Sequence, residues 1–377
     1  VFGFLEAKYF PLERSHYLRM DLAFDSIDVD RFERHVANNR QAEDLSIVRV
    51  MTTRRRFAEK FSLGEDIEEG WYRLELSTSP DSPPAWQVSA AGNYLGPIQR
   101  TNVVAIEPVS GALRTALRSG SRVSVSRSPQ TSRVALPPAD FHVRVVDVGH
   151  ASFSAVHATR DTQGKIVGYF DVGGPVFFHK ATFPKSFREG ERVPRSGFVV
   201  LSHWDFDHYS LAVSKLVELQ ELHWYAPRQE VGFNAARLQA NLSSRLKFIA
   251  ARRVDIGPSL QLFRGLGTRT NRNDSGYVML VKSGRGPVLL TGDVSYEKIP
   301  MRAKRGLVGI CIPHHGGNGS ENPPTSATRA TAAVSYGLPN RYHHPNEANL
   351  KQHASPHWHV ERTAGSPTRL RGDIWLP

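Results

Sequence analysis

The stretch Ser202-His203-Trp204-Asp205-Phe206-Asp207-His208 constrains this chain more than any other, because four side chains able to hold a metal fall within six consecutive positions. The apolar run Gly197 to Leu201 just before it reads as a short buried strand. The cluster therefore sits where a strand runs out into a loop. Side chains alternate along an extended segment, so His203, Asp205 and Asp207 can turn towards one point while His208 enters the next helix. Taken alone, such a cluster could equally be a solvated polar loop.

Three downstream segments repeat the same grammar of apolar strand followed by metal-type residue. Leu289 to Asp293 ends in a carboxylate, and Gly292 lets the backbone turn so that Asp293 can face a ligand. Ile310 to Gly317 opens onto His314 and His315. Val334 to Gly337 is followed by Asn340, Arg341, His343, His344 and Pro345. His223 is mid-strand in this reading and is set aside as a ligand. The candidate set is enough for two divalent metal ions. With Asp205, Asp207 and Asp293 among the ligands it is a hard set, for which Mn²⁺ competes with Zn²⁺.

In that order these residues resemble the metallo-β-lactamase superfamily, and within it the hydrolase domain of the ComEC-like competence proteins. The resemblance runs from about Phe141 to Pro377 and includes Val145 to Ser152, Tyr169 to Gly174, Asn271 to Ser275, and Arg362, Thr363 and Gly365. Asp205 stands where the superfamily usually has a second histidine, as in ComEC-like members. The resemblance implies an αββα sandwich in an α+β chain. It implies one metal on His203, Asp205 and a histidine of the 314/315 pair, another on Asp207, His208 and His344, and Asp293 as a bridge. It also implies a metal-dependent phosphodiesterase, a nuclease acting on single-stranded DNA more than on RNA, with Asn340 and Arg341 near the substrate and Asp207 in the catalytic set. The alternatives are a small-molecule phosphoester or lactone hydrolase of the same fold and a non-catalytic nucleic-acid-binding subunit.

Net charge is +12, with arginines clustered at 54–56, 252–253, 302–305 and 369–371. This favours polyanionic partners, and arginine forks suit phosphate oxygens. Arg341, Arg362 and the 369–371 cluster follow the last metal motif and are expected to flank the cleft. No stretch approaches the roughly 18 apolar residues of a membrane span. A single cysteine, Cys311, allows no internal disulfide and fits a cytoplasmic location.

The chain divides on composition into an N-terminal domain (1–118), a Ser/Arg/Pro-rich linker (119–139) and the hydrolase-like domain (140–377). The first lacks the metal grammar. Strands at Ile47 to Met51, Trp71 to Leu76 and Trp86 to Val88, with a helix over Ile27 to Val36, predict a small mixed α/β or β-rich fold. It is a candidate site for a protein partner or for an extension of a nucleic-acid track. In the second domain, helices are predicted over Leu211 to Leu219 and Val231 to Leu246.

Overall fold

The computed structural model describes residues 1–9, 19–29, 31–32, 45–61, 63, 67–89, 98–120, 140–158, 165–175, 177–187, 193–326, 330–340, 342–354 and 357–377. Most of the 119–139 segment, and Arg341, lie outside them. The chain forms two compact units, Val1–Ser124 with Glu230–Ser243, and Val125–Gln229 with Ser244–Pro377. No helix among the described residues is long and apolar enough to cross a membrane.

The first unit is a closed six-stranded barrel. Its strands are β1 (Phe2–Tyr9), β2 (Arg19–Ile27), β3 (Leu45–Thr53), β4 (Trp71–Ser77), β5 (Pro84–Ser89) and β6 (Ile98–Pro108), in the order β1-β2-β3-β5-β6-β4. All the pairings are antiparallel, and closure removes the free sheet edges that a small β domain otherwise has to protect. Leu5, Leu22, Phe24, Val48, Val50, Leu74 and Val103 fill the interior with the helix residues Phe57 and Phe61. The β-rich alternative therefore describes this unit. Ile27, expected at the start of a helix, is the last residue of β2 and fully buried.

The helix Phe233–Leu242 is shorter than the predicted Val231 to Leu246 and is counted with the barrel, not with the unit that surrounds it in sequence. Asp25 of β2 accepts the backbone N–H of Asn234 at 2.7 Å and its side-chain amide. That places a carboxylate on the unsatisfied N–H groups at a helix start, where the helix dipole favours it. Phe233 is buried against Trp71, 4.9 Å between ring centroids, and Phe32, 6.0 Å. Trp71 also donates to Glu230, which pairs with Arg118. Removing residues 1–118 would thus strip the partners of Phe233 and leave an apolar helix face in water, so that truncation cannot isolate the second unit cleanly.

The second unit is a sandwich of two seven-stranded sheets. The first has β7 (His142–Val145), β8 (Phe153–His157), β9 (Ile166–Val172), β10 (Phe198–Val200), β11 (His223–Pro227), β12 (Leu246–Ile249) and β20 (Ile374–Leu376), ordered β12-β11-β10-β9-β8-β7-β20. The other runs in sequence order through β13 (Arg253–Gly257), β14 (Leu260–Arg264), β15 (Tyr277–Ser283), β16 (Gly286–Leu290), β17 (Gly309–Cys311), β18 (Ala330–Val334) and β19 (Trp358–Arg362). Val143, Val145, Phe170, Phe198 and Val200 of one sheet pack with Leu262, Met279, Val281, Val288 and Leu290 of the other. The interior strand β10 is parallel to both neighbours and buried along its whole length, which explains its unbroken apolar sequence.

The outer helical layers are thin. The segment read as one helix over Leu211 to Leu219 is two 3₁₀ turns, Ser210–Val213 and Val217–Glu221. On the other face, turns at Tyr296–Lys298 and Met301–Lys304 and the helix Glu347–Gln352 supply Tyr296, Ile299, Ala303 and Leu350 to a second core. The hairpin β13–β14 went unread, although Val254, Ile256, Leu260 and Leu262 alternate with polar residues.

Asp25→Ala is expected to lower unfolding stability by about 1–3 kcal/mol, the cost of stranding buried donors. It should also speed amide exchange across 233–242. An unchanged urea midpoint would contradict the role given to Asp25.

Candidate metal centre

Parallel strands deliver the site. β9, β10 and β11 run the same way in one sheet, and β16, β17 and β18 do so in the other. Their carboxyl ends therefore open on one edge of each sheet, the usual location of functional loops in such sheets. β10 leads to Ser202 and His203, β16 to Gly292 and Asp293, and β17 to His314 and His315.

Close backbone approach brings these ends together. Gly292 has φ 54°, and a Cβ there would lie 2.6 Å from the Ser202 side chain. At Gly173, which follows β9, a Cβ would overlap the carbonyl of Asp207. Asp171, His314 and His315 adopt left-handed φ of 53°, 49° and 53°, a conformation costing L-residues roughly 1–2 kcal/mol each. Strain of this kind persists where surrounding contacts over-determine it, and it gathers at functional sites.

Among the described residues, two groups bring ligand atoms within 4.8 Å of one another: His203, His208 and Asp293, and Asp207, His208 and His315. His208 Nε2 lies 3.3 Å from Asp293 and 3.9 Å from Asp207, and His315 Nε2 lies 3.3 Å from Asp207. His203 and His208 are fully buried, and the Nε2 of each faces a carboxylate, Asp205 at 3.2 Å and Asp293 at 3.3 Å, without a well-aligned hydrogen bond. Buried polar atoms are rarely left so. A cation bound between these nitrogens and the facing carboxylates would satisfy all of them, so the donor set fits a divalent metal.

The grouping differs from the one the family resemblance implies. His315 joins Asp207 and His208, not His203 and Asp205. The main chain explains this: His315 Nδ1 is held by the carbonyl of Ser335 at 2.8 Å, which aims Nε2 at Asp207. His314 is a third exposed and lies 3.8 Å from Asp293. His344 is half-buried, with its ring 5.3 Å from that of His314, whereas His343 is exposed. His223 opens β11, is exposed and joins neither group.

Asp205 is engaged elsewhere. One oxygen faces His203 Nε2 at 3.2 Å and the other lies 2.9 Å from the guanidinium of Arg272, a side chain only 3% exposed. Asn340 is also spent, donating to the carbonyls of Gly337 and His344 and accepting from the His344 N–H. It shapes the loop instead of facing a substrate. Arg341 is outside the described residues. The arginines expected to flank the cleft are paired as well. Arg362 forks onto Glu347, Arg369 binds Glu361 and two carbonyls, and Arg371 is bidentate on buried Asp147.

Two features escaped the sequence reading. The first is Asp171, fully buried at the end of β9, which accepts from the Ser202 N–H at 2.8 Å, the Ser202 and Ser152 hydroxyls at 2.9 and 3.2 Å, and His208 Nδ1 at 2.8 Å. It fixes the ring so that Nε2 points into the site, as carboxylates behind metal-binding histidines do. The second is a wall of rings: His150 lies 4.7 Å from both His179 and His315, 5.5 Å from Tyr342 and 5.7 Å from His344. The turn Gly149-His150-Ala151 was the available signal.

Electrostatics divides the site. Burial disfavours charge on His208, but Asp293, Asp171 and Asp207 outweigh it and raise its pKa well above the ordinary value. Burial would raise Asp207, yet His208 and His315 bring it down to about 2. Asp293 is likewise held well below its usual value, with His208 and His314 overcoming burial. On the wall the sign reverses: burial, then His315 and the other imidazoles, push His150 far down, and burial with His314 and His315 takes His344 to about 2. Those two rings stay neutral.

No family model and no curated protein matches the sequence. The structure is similar to those of metallo-β-lactamase superfamily hydrolases. One such metal-dependent hydrolase shares 14% identity over 63% of this chain and 98% of its own, at a TM-score of 0.41. A probable metal-dependent hydrolase from Staphylococcus aureus shares 12% over 42% of this chain and 74% of its own, at 0.26. The β-hydroxylase CmlA shares 13% over 81% of this chain and 75% of its own, at 0.37.

Asp171→Asn is expected to keep the fold but weaken metal binding by about 10–100-fold, the usual effect of losing such a partner. Asp207→Ala should lower bound metal further. Metal content of the purified variants, with circular dichroism to check folding, decides both.

Proposed function

We propose that this chain is a metal-dependent hydrolase of phosphodiesters, with nucleic acid as its substrate class. The observation that carries the metal reading is the convergence of buried imidazole nitrogens of His203, His208 and His315 on the carboxylates of Asp207 and Asp293, with no well-aligned hydrogen bond at the Nε2 of His203 or His208. Asp207, His208, His315, Asp293 and His203 are the residues that would hold the ion. When bound, a divalent cation supplies Lewis acidity and makes water a usable nucleophile near neutral pH.

Among the described residues, the cysteine and the serine nearest this set are not available as nucleophiles. Burial pushes the Cys311 thiol up to about 12, so it stays protonated. Ser202, the hydroxyl nearest His203 and His208, is committed to Asp171. Water is then the remaining attacking group, which makes the reaction a hydrolysis. Asp171 keeps His208 oriented through the cycle, and the neutral rings of His150 and His344 add no positive charge on their side of the site.

The phosphate preference draws on the charge of +12. The C-terminal arginines are neutralised internally, so the contribution falls to exposed basic residues such as Arg269, on the loop that carries Arg272, and Lys180, which follows His179. A compact uncharged ester would not use them.

The test is binding and turnover together. With metal removed, affinity for a single-stranded oligonucleotide should fall by roughly tenfold or more between about 50 and 200 mM salt if several phosphates are contacted. Restoring Mn²⁺ or Zn²⁺ should start phosphodiester cleavage. Salt-independent or undetectable binding, combined with fast hydrolysis of a lactone or small ester, would transfer the site to a small-molecule substrate.

A further inference from the structure

Two independent features of the centre limit how many metal ions it can take. The first is that both candidate ligand groups depend on His208. Its Nδ1 is occupied by Asp171 at 2.8 Å, so Nε2 alone is available, and one imidazole nitrogen carries a single lone pair for one ion. The two groups therefore compete for the same atom.

The second is the Arg272–Asp205 pair. Arg272 is delivered by a loop docked on the metal segment. The Tyr277 N–H binds the Ser202 carbonyl at 2.9 Å, and Gln229 joins the Trp204 N–H to the Arg272 carbonyl at 3.3 and 2.7 Å. The guanidinium is held against Asp205 at 2.9 Å in a buried position. A dication bound by Asp205 would sit beside this fixed positive charge with little water to screen it, and Asp205 belongs to neither ligand group.

We infer that the centre takes one divalent ion tightly, on His208 with Asp207, His315, Asp293 and His203 drawn from both groups, and that Arg272 stands in the electrostatic place of a second ion with Asp205 as its counter-ion. This rests on the metal reading above and narrows it. Arginine cannot lose its proton in a protein, so the substitute charge is permanent and independent of metal supply.

Metal stoichiometry of the full chain tests this without reference to turnover. Metal-free protein titrated with Mn²⁺ is expected to bind one equivalent and to show the paramagnetic resonance spectrum of an isolated ion. Asp205→Asn should leave that equivalent and its affinity within about twofold, because Asp205 is a counter-ion and not a ligand. Arg272→Gln, which frees Asp205, should strengthen a second equivalent by about tenfold or more. Two equivalents in the unaltered protein with an exchange-coupled spectrum, or loss of an equivalent in Asp205→Asn, would overturn the inference. A folded Arg272→Gln variant that still takes one equivalent would overturn the role given to Arg272, and if that variant does not fold, Asp205→Asn decides. Binding of no metal at all would remove the metal reading beneath it, an outcome distinct from these.

Discussion

The contact between Asp171 and His208 organises the second unit's functional edge. A carboxylate with no exposed surface is costly to bury unless each of its lone pairs is used, and Asp171 uses them on Ser152, Ser202 and His208. Those partners come from the turn before β8, the end of β10 and the helix after it. One side chain thus fixes three strand ends relative to one another. Its left-handed backbone is the local strain that this network offsets. His208 in turn faces Asp207 and Asp293, so the second sheet's contribution is positioned through the first sheet's buried carboxylate.

A comparable strap fixes the ring wall. Arg371, near the C-terminus, forks onto Asp147, and Asp147 accepts from the Gly149 N–H. Thr182 receives the His150 N–H and offers its carbonyl to Arg371. The turn carrying His150 is therefore held by residues more than two hundred positions away. A basic cluster that suggests phosphate binding is here part of the scaffold.

These two devices also show what could be read in the chain and what could not. The grammar of apolar strand followed by metal-type residue was legible at His203, Asp207, Asp293 and His315, because parallel strands buried on both faces need unbroken apolar runs and must place their functional groups at the ends. The charge of Arg369 and Arg371 was visible in sequence, but their partners Glu361 and Asp147 were not, since ion pairing depends on the folded path. The same holds for Arg272, whose neighbours Asn271 and Asn273 give no sign of Asp205. The helix Phe233–Leu242 lies within the stretch Val231 to Leu246 expected to be helical. Its attachment to Asp25 of the barrel was hidden because helical spacing shows an apolar face without saying what covers it. Asp171 lay inside a recognised strand-and-turn segment and still passed unremarked, its function being fixed by contacts with distant residues.

Charge distribution carries the argument one step further. The chain is strongly basic as a whole, yet its centre gathers Asp171, Asp205, Asp207 and Asp293 around the guanidinium of Arg272 and the imidazoles of His203, His208 and His315. For the phosphodiester substrate proposed above, long-range attraction would favour encounter, but at contact distance the carboxylates of an unloaded centre would repel phosphate. A bound dication would offset that negative charge. Under that proposal the ion would precede the substrate, with the basic surface setting how often a phosphate arrives and occupancy of the centre setting whether it stays.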